Sequence, residues 1–201
     1  MLDPVSQLVM GMIGGKTRSE VSKEVFVQLR RRFRRWENLR DADLSEVRRL
    51  IAPVTFPENK AFRLQAALRL ITKSQGRLSL DLLKPMSVPT SLTWLEGLPG
   101  VGRKTAATVL NFSTLRKPAL VVDSHHLRVA KRLGLIGLRD DTVEAYETLT
   151  PLMPVHWGAL EIDNHHQFVK RHGQETCKAE RPICGNCPLK EICRTYATAF
   201  G

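Results

Sequence analysis

Apolar residues recur at helical spacing along almost the whole 201-residue chain, and only one run, Ala119-Leu120-Val121-Val122, reads as a possible strand. A lone strand has no neighbour to satisfy its backbone groups, so that run is expected to be a buried connector and the fold all-α. Leu8, Met12 and Ile13 suit a first short helix, and Val21, Val25, Phe26, Leu29 and Phe33 mark one face of a second. Ser45 is expected to cap a third, with Val47, Leu50 and Ile51 turned inward. Ala61, Leu64, Leu68 and Ile71 form a stripe on a longer helix over 58–74, stopped by Gly76. Short helices fit 79–84 and 90–96, and a Gly-rich turn then opens onto a helix over 103–113. Asp123 can cap a helix over 124–133 that Gly134 ends, and Asp140 or Asp141 begins another running to 149. A last long helix over 156–172 leads into a cysteine-containing loop. Residues 114–118 and 134–139 are the expected links between helical lobes.

Charge narrows the choice of partner. Thirty-one Lys and Arg against twenty Asp and Glu give a formal net charge of +11. A domain this basic meets a polyanion or an anionic membrane. Residues 30–35, Arg-Arg-Arg-Phe-Arg-Arg, hold five of the arginines; a solvated helix face explains them as well as a binding patch does. No stretch approaches the roughly eighteen apolar residues of a membrane span. Met1-Leu2-Asp3-Pro4 lacks the basic region followed by an apolar run of a secretory signal.

Leu98-Pro99-Gly100-Val101-Gly102, between two helices, has the form of a helix–hairpin–helix. Pro99 fixes one dihedral, and Gly100 and Gly102 permit positive φ and close backbone approach. The amides at the start of helix 103–113 then form an anion site suited to a DNA phosphate. Lys104 stands in the first turn of that helix. The helix N-terminus, neighbouring Arg103 and partial burial each disfavour its ammonium form, so it can supply a neutral, nucleophilic amine; pairing with a phosphate is the other reading. Asp123 can stabilise the oxocarbenium-like charge of glycosidic bond cleavage, or simply cap helix 124–133, or do both.

Cys177, Cys184, Cys187 and Cys193 are the only cysteines, spaced Cys-x6-Cys-x2-Cys-x5-Cys. Clustered in this way they read as metal ligands, and both tetrahedral zinc and a [4Fe–4S] cluster accept four thiolates. Nearby Lys178, Arg181, Lys190 and Arg194 either reach phosphates or offset the thiolate charge. The six histidines include the adjacent pairs His125-His126 and His165-His166, whose members point to different helix faces, so no second metal site is expected. Trp36, Trp94 and Trp157 read as packing residues.

Leu98-Pro99-Gly100-Val101-Gly102-Arg103-Lys104-Thr105-Ala106, with Val122-Asp123-Ser124-His125 and the cysteine spacing, resembles the endonuclease III family of DNA glycosylases with lyase activity, over nearly the whole chain. The resemblance implies two helical lobes, a hairpin lobe over 5–118 and a cluster lobe over 119–201 joined by the extreme N-terminus, with damaged duplex DNA in the cleft between them. It implies a monomer acting on DNA in the cytoplasm, with no membrane. It makes Lys104 the Schiff-base lysine, Asp123 the catalytic carboxylate, and Leu98, Gly100, Val101 and Gly102 part of the DNA interface. It turns the four cysteines into ligands of a [4Fe–4S] cluster, and makes oxidised pyrimidines the expected substrates. Residues 13–21, Ile-Gly-Gly-Lys-Thr-Arg-Ser-Glu-Val, align with a family segment that usually carries Ser, Gln, Thr and Asp. Thr17 persists, but Gly14, Lys16 and Ser19 replace three of those, and Lys16 stands where the family's glutamine fills the gap left by the flipped base. Lys16 and Thr17 are therefore expected at the DNA, on a loop that the Gly14-Gly15 pair loosens. The family's adenine-specific relative typically lacks the lysine at 104 and has a carboxylate before this loop, where Val9-Met10-Gly11-Met12 has none. A glycosylase without lyase activity and a non-catalytic DNA-binding module are the competing functions.

Overall fold

The computed structural model describes residues 1–200; Gly201, the end of the expected second lobe, lies outside the described residues. The chain divides into two compact units, Met1–Lys117 and Pro118–Gly201. Eleven α-helices and four 3-10 turns account for its regular structure among the described residues, where the only β feature is a single bridge between Leu2 and Ser113. That bridge holds the extreme N-terminus in the first unit, not in the second, where it was expected.

The first unit builds on α1 (Pro4–Gly14). Asp3 caps it by accepting from the Ser6 amide at 2.9 Å, and Pro4 occupies the first turn, where no N–H is needed. α2 (Ser19–Arg32) buries Val25, Phe26 and Leu29. Its last turn holds Arg30, Arg31 and Arg32, cations suited to the negative end of the helix dipole. α3 (Trp36–Asp41) is a helix that the periodicity does not predict. It is held by Trp36, whose ring packs 5.7 Å from that of Phe26 and whose Nε1 donates to Ser6 Oγ at 2.8 Å. The Arg30 guanidinium lies 4.9 Å above the same indole, so this part of the arginine run packs on the fold. α4 (Leu44–Leu50) is capped by Asp43 and not by Ser45: Asp43 accepts from the Ser45 amide at 2.7 Å, which places Ser45 inside the helix.

α5 (Pro57–Gln75) is the central helix of the unit. Its predicted stripe of Ala61, Leu64, Leu68 and Ile71 is fully buried, and each large side chain contributes about 1.5–3 kcal/mol. Gln65, buried beside the stripe, donates to the carbonyls of Leu39 and Ala42 and so ties α3 to α5. The segment expected as a short helix over 79–84 is a 3-10 turn, Asp81–Leu83. α6 (Val88–Glu96) and α7 (Arg103–Phe112) complete the unit, with α7 packed on both α1 and α6.

The second unit begins with the apolar connector. Ala119, Leu120, Val121 and Val122 are buried and form no ladder. Two histidines anchor the connector, His126 and His166, whose Nδ1 atoms lie 3.2 and 2.8 Å from the Val121 carbonyl. A carbonyl only accepts, so each ring carries its proton on Nδ1. α8 (Ser124–Leu133) follows and ends at Gly134, whose φ of +80° supplies the left-handed cap. α9 (Thr142–Leu149) has a capping box between Asp141 and Glu144. α10 (Ala159–Glu175) packs against α8, and α11 (Arg194–Phe200) follows the cysteine loop.

Candidate active site and cysteine loop

α6 and α7 are joined by a tight turn in which the Val101 amide donates to the Leu98 carbonyl at 3.1 Å. Pro99 precedes Gly100, whose φ of +80° suits the third position of a type II turn. A side chain at 100 would be strained by that φ and would also lie 3.0 Å from Arg63. Leu98 and Val101, expected at the DNA, are 4% and 6% exposed. They anchor the turn, and what they offer outward is backbone. Gly102 does not adopt positive φ: at −106° it is extended and forms the N-cap of α7, with open space where a side chain would stand. A glycine cap has no side chain to occupy the first-turn amides of α7, which suits them to an anion.

Lys104 is half-buried in that first turn. Arg103, expected to disfavour the Lys104 ammonium, pairs with Glu96 of α6 through Nε–Oε1 at 2.5 Å and is largely enclosed. A further cation that interacts electrostatically with Lys104 is Lys60, in the first turns of α5, which periodicity does not single out. Burial, and after it the charge of Lys104, push the Lys60 amine down to about 8. Lys60 Nζ donates to the carbonyls of Ile13 and Gly15 at 2.8 and 2.6 Å and to Thr17 Oγ1 at 2.9 Å.

These bonds decide the shape of the loop between α1 and α2. Thr55 adds two more, its amide donating to Thr17 Oγ1 at 3.1 Å and its hydroxyl to the Lys16 carbonyl at 2.9 Å. Five hydrogen bonds thus hold a segment that the Gly14-Gly15 pair was expected to loosen. Lys16 itself is exposed at its tip, in the left-handed region at φ +55°. Thr17 is half-buried, and its Oγ1 is the joint on which Lys60 and Thr55 converge. The loop borders a cavity of about 340 Å³ lined also by Gly11, Met12, Phe56, Arg63, Gly100 and Thr105. Phe56 is a second residue the sequence reading passed over. It is 57% exposed, left-handed at φ +57° and directly before Pro57, a combination rare for an aromatic.

In the second unit Asp123 is the N-cap of α8 as well as the candidate carboxylate. Its Oδ1 accepts from the amides of His125 and His126, both at 2.9 Å, while Oδ2 takes neither bond. Burial is the strongest single influence on this carboxyl and opposes ionisation. The His126 amide, with the charges of His166, His125 and Lys170, outweighs it and holds the group below its ordinary value. Asp123 is therefore an anion throughout the neutral range. His165 packs: its ring lies 5.2 Å from His126 and 5.6 Å from Trp157, and burial pushes it down to about 4, so it is neutral.

None of the four cysteines is in a disulfide; all are half-buried and line one cavity of about 40 Å³ with Arg132, His172 and Leu189. Arg132 Nη1 donates to Cys177 Sγ at 3.3 Å and to the Lys178 carbonyl at 2.6 Å, and Cys193 Sγ lies 3.4 Å from the Arg132 carbonyl. Arg128 closes the other side by donating to the carbonyls of Cys177 and Gly173 at 2.9 and 2.6 Å. Two arginines of α8 thus hold the loop, independently of Lys178 and Arg181, which stay at the surface. Among the described residues, no three His, Cys, Asp or Glu side chains converge as one metal ion requires.

No helix among the described residues is long and apolar enough to cross a membrane. Residues 9–154 match the family described as HhH-GPD superfamily base excision DNA repair protein. The chain is 32% identical over 177 residues to endonuclease III of Bacillus subtilis (strain 168), a match covering 88% of this chain and 72% of that protein. It is also 32% identical to endonuclease III of Thermotoga maritima, covering 96% of this chain and 84% of the relative. Among solved structures, a trapped endonuclease III–DNA covalent intermediate, an estranged-adenine complex, superposes with a TM-score of 0.81 at 28% identity, covering 98% of this chain and 86% of that one.

Proposed function

Because the chain belongs to the endonuclease III family, within the HhH-GPD base-excision repair superfamily, we propose that Lys104 is its nucleophile and Asp123 its catalytic carboxylate. The protein is a DNA glycosylase and AP lyase of base-excision repair, and it binds DNA. The observation that carries the assignment is Lys104 at the start of an α7 whose N-cap, Gly102, has no side chain: phosphate binding falls to the amides there, and the amine is left for chemistry.

In this reading the neutral Lys104 amine forms a bond to C1′ as the C1′–N bond breaks, and the electron pair leaves with the base, which takes up a proton. Asp123 Oδ2 faces the positive charge that develops on the sugar while Oδ1 stays on the α8 amides. The lysine nitrogen then gives up its two protons, one to O4′ as the C1′–O4′ bond breaks and the ring opens to the imine and one to solvent, and loss of a C2′ proton forms a C2′–C3′ double bond as the C3′–O bond breaks and the 3′ phosphate leaves. Damaged duplex DNA in the cytoplasm is the substrate, with oxidised pyrimidines the favoured class. Lys16 stands at the vacated base position as an ammonium that only donates, which favours an acceptor-rich partner base such as guanine. A panel of single-lesion duplexes assayed for base release and for borohydride trapping tests the function. Release with trapping is expected, release without trapping would leave a glycosylase alone, and neither would leave a DNA-binding module.

The cysteine loop is proposed to hold a [4Fe–4S] cluster on Cys177, Cys184, Cys187 and Cys193. The support is that the four thiols line one cavity and that their spacing resembles the cluster loop of the family. Bound there, the cluster supplies rigidity to the loop, and the arginines of α8 balance the thiolate charge. Anaerobically purified protein is expected to be brown and to contain iron. Colourless, fully active protein containing only zinc sinks the assignment.

A further inference from the structure

The last turn of α8 carries an arginine whose guanidinium reaches a cysteine sulfur. Arg132 Nη1 donates to Cys177 Sγ at 3.3 Å and to the Lys178 carbonyl at 2.6 Å, while Nη2 donates to the Ala179 carbonyl at 2.8 Å. We propose that Arg132 sets the reduction potential of the cluster held by the cysteine loop, by donating to the Cys177 sulfur, and thereby guards that cluster against one-electron oxidation. This inference rests on the reading of the four cysteines as ligands of a [4Fe–4S] cluster.

Three observations support it. First, the bond ends on the sulfur itself and comes from a cation. A hydrogen bond from a positive group to a ligand sulfur stabilises the cluster state that holds one more electron, so it raises the potential. A guanidinium does not lose its proton, so the bond persists at every pH of interest. Second, the fold fixes the donor. One guanidinium serves three consecutive loop residues, 177–179. The backbone of the same residue meets the far end of the cysteine run: the Arg132 carbonyl accepts from Thr195 Oγ1 at 2.9 Å and lies 3.4 Å from Cys193 Sγ. Gly134, two residues on, makes room for that approach. A side chain there would lie 2.9 Å from Arg194 Cδ and would be strained at φ +80°. Third, the surroundings are apolar. Val129, Leu133, Ile183 and Leu189 line the same cavity as Arg132 and the sulfurs, and a charge-assisted bond is stronger in such a medium than in water.

The neighbouring polar groups end elsewhere. Arg128 donates to the carbonyls of Cys177 and Gly173 and to His125 Nδ1, at 2.9, 2.6 and 3.1 Å, and none of these is a sulfur. His172 Nε2 stands 3.8 Å from Cys187 Sγ, a longer approach than that of Arg132 to Cys177. In the oxidation that Arg132 opposes, one electron passes from the cluster to an external oxidant such as dioxygen, and no bond to a cysteine sulfur forms or breaks. The oxidised cluster offers less negative charge to the guanidinium, and the bond to Cys177 weakens accordingly.

The test is protein-film voltammetry of the anaerobically purified holoprotein, with iron per chain measured on the same samples, for the parent, Arg132→Met, Arg132→Gln and Arg128→Met. In Arg132→Met the ratio of oxidised to reduced cluster at a fixed potential is expected to rise about tenfold, a fall in midpoint of about 59 mV for one electron. Its visible absorbance is expected to bleach faster under ferricyanide. Arg132→Gln keeps a neutral donor, and its midpoint is expected to fall by less. Arg128→Met is expected to fall by less than Arg132→Met, because the bonds it loses do not end on sulfur. An unmoved midpoint in both Arg132 variants makes Arg132 a clamp for the loop alone and overturns the proposal, and so does loss of iron from both. An equal fall in Arg128→Met makes net charge the cause instead of the sulfur bond and overturns it as well. Should Arg132→Met not fold, an unmoved midpoint in Arg132→Gln is decisive against it. A parent that holds no iron overturns the cluster reading itself, and this inference with it; a parent that holds the cluster, with unmoved Arg132 midpoints, overturns this inference alone.

Discussion

Lys104→Gln is expected to abolish the borohydride-trapped adduct with abasic duplex while changing affinity for the same duplex by no more than about threefold. The two readouts separate because they draw on different physics. An imine needs one primary amine at one place, and an amide nitrogen does not form it. Affinity draws on many phosphate contacts of a chain with net charge +11, so losing one contact lowers the salt slope by about one unit and little else. Fold is not at risk, since glutamine is as good a helix former as lysine and position 104 is a half-buried first-turn site. Peptide mapping settles the alternative: an adduct surviving in this variant must lie on another lysine, and Lys60 and Lys16 border the cavity next to it.

Much of this architecture is legible in the sequence wherever a periodic stripe meets a stop signal. The α5 stripe is buried as its spacing predicts, and α8 runs from the residue after Asp123 to the residue before Gly134. The all-α reading holds because the lone apolar run of 119–122 is a connector whose one shared carbonyl is served by two histidines. What was illegible depends on contacts distant along the chain. α3 is six residues long, too short for a period to show, and forms because Trp36 finds Phe26 and Ser6. Asp43 outcompetes Ser45 as cap because it sits one residue before the helix, an offset that composition does not resolve. Lys60 illustrates the limit best. In sequence it is one lysine on the polar side of an amphipathic helix, and its acceptors lie 43 to 47 residues earlier. The pairing of Arg103 with Glu96 of α6 is likewise a contact that composition does not reveal.

Asp123→Asn is expected to slow base release by about 10²- to 10³-fold with little change in melting temperature. The pairing of those two outcomes is what makes the substitution informative, because the cap and the proposed catalytic role of Asp123 fall on separate atoms. As N-cap it uses Oδ1 to receive the amides of His125 and His126. Asparagine caps a helix about as well as aspartate, through the same carbonyl oxygen, so α8 keeps its start. As a catalytic group it contributes a negative charge, which the amide lacks. That charge is present in the parent at neutral pH because the His126 amide and the cations around it outweigh the burial that opposes ionisation. A carboxyl held below its ordinary value stabilises the fold above that ordinary value and loses the contribution as pH falls through the lowered one. At neutral pH the parent thus has both the cap and the charge, and Asp123→Asn keeps only the cap. Asp123→Ala, which removes both, is expected to match the slow base release and in addition to lose about 1 kcal/mol of stability. If Asp123→Asn releases base at the parental rate while Asp123→Ala melts early, the residue is a helix cap and nothing more, and the positive charge on the sugar is stabilised by another group.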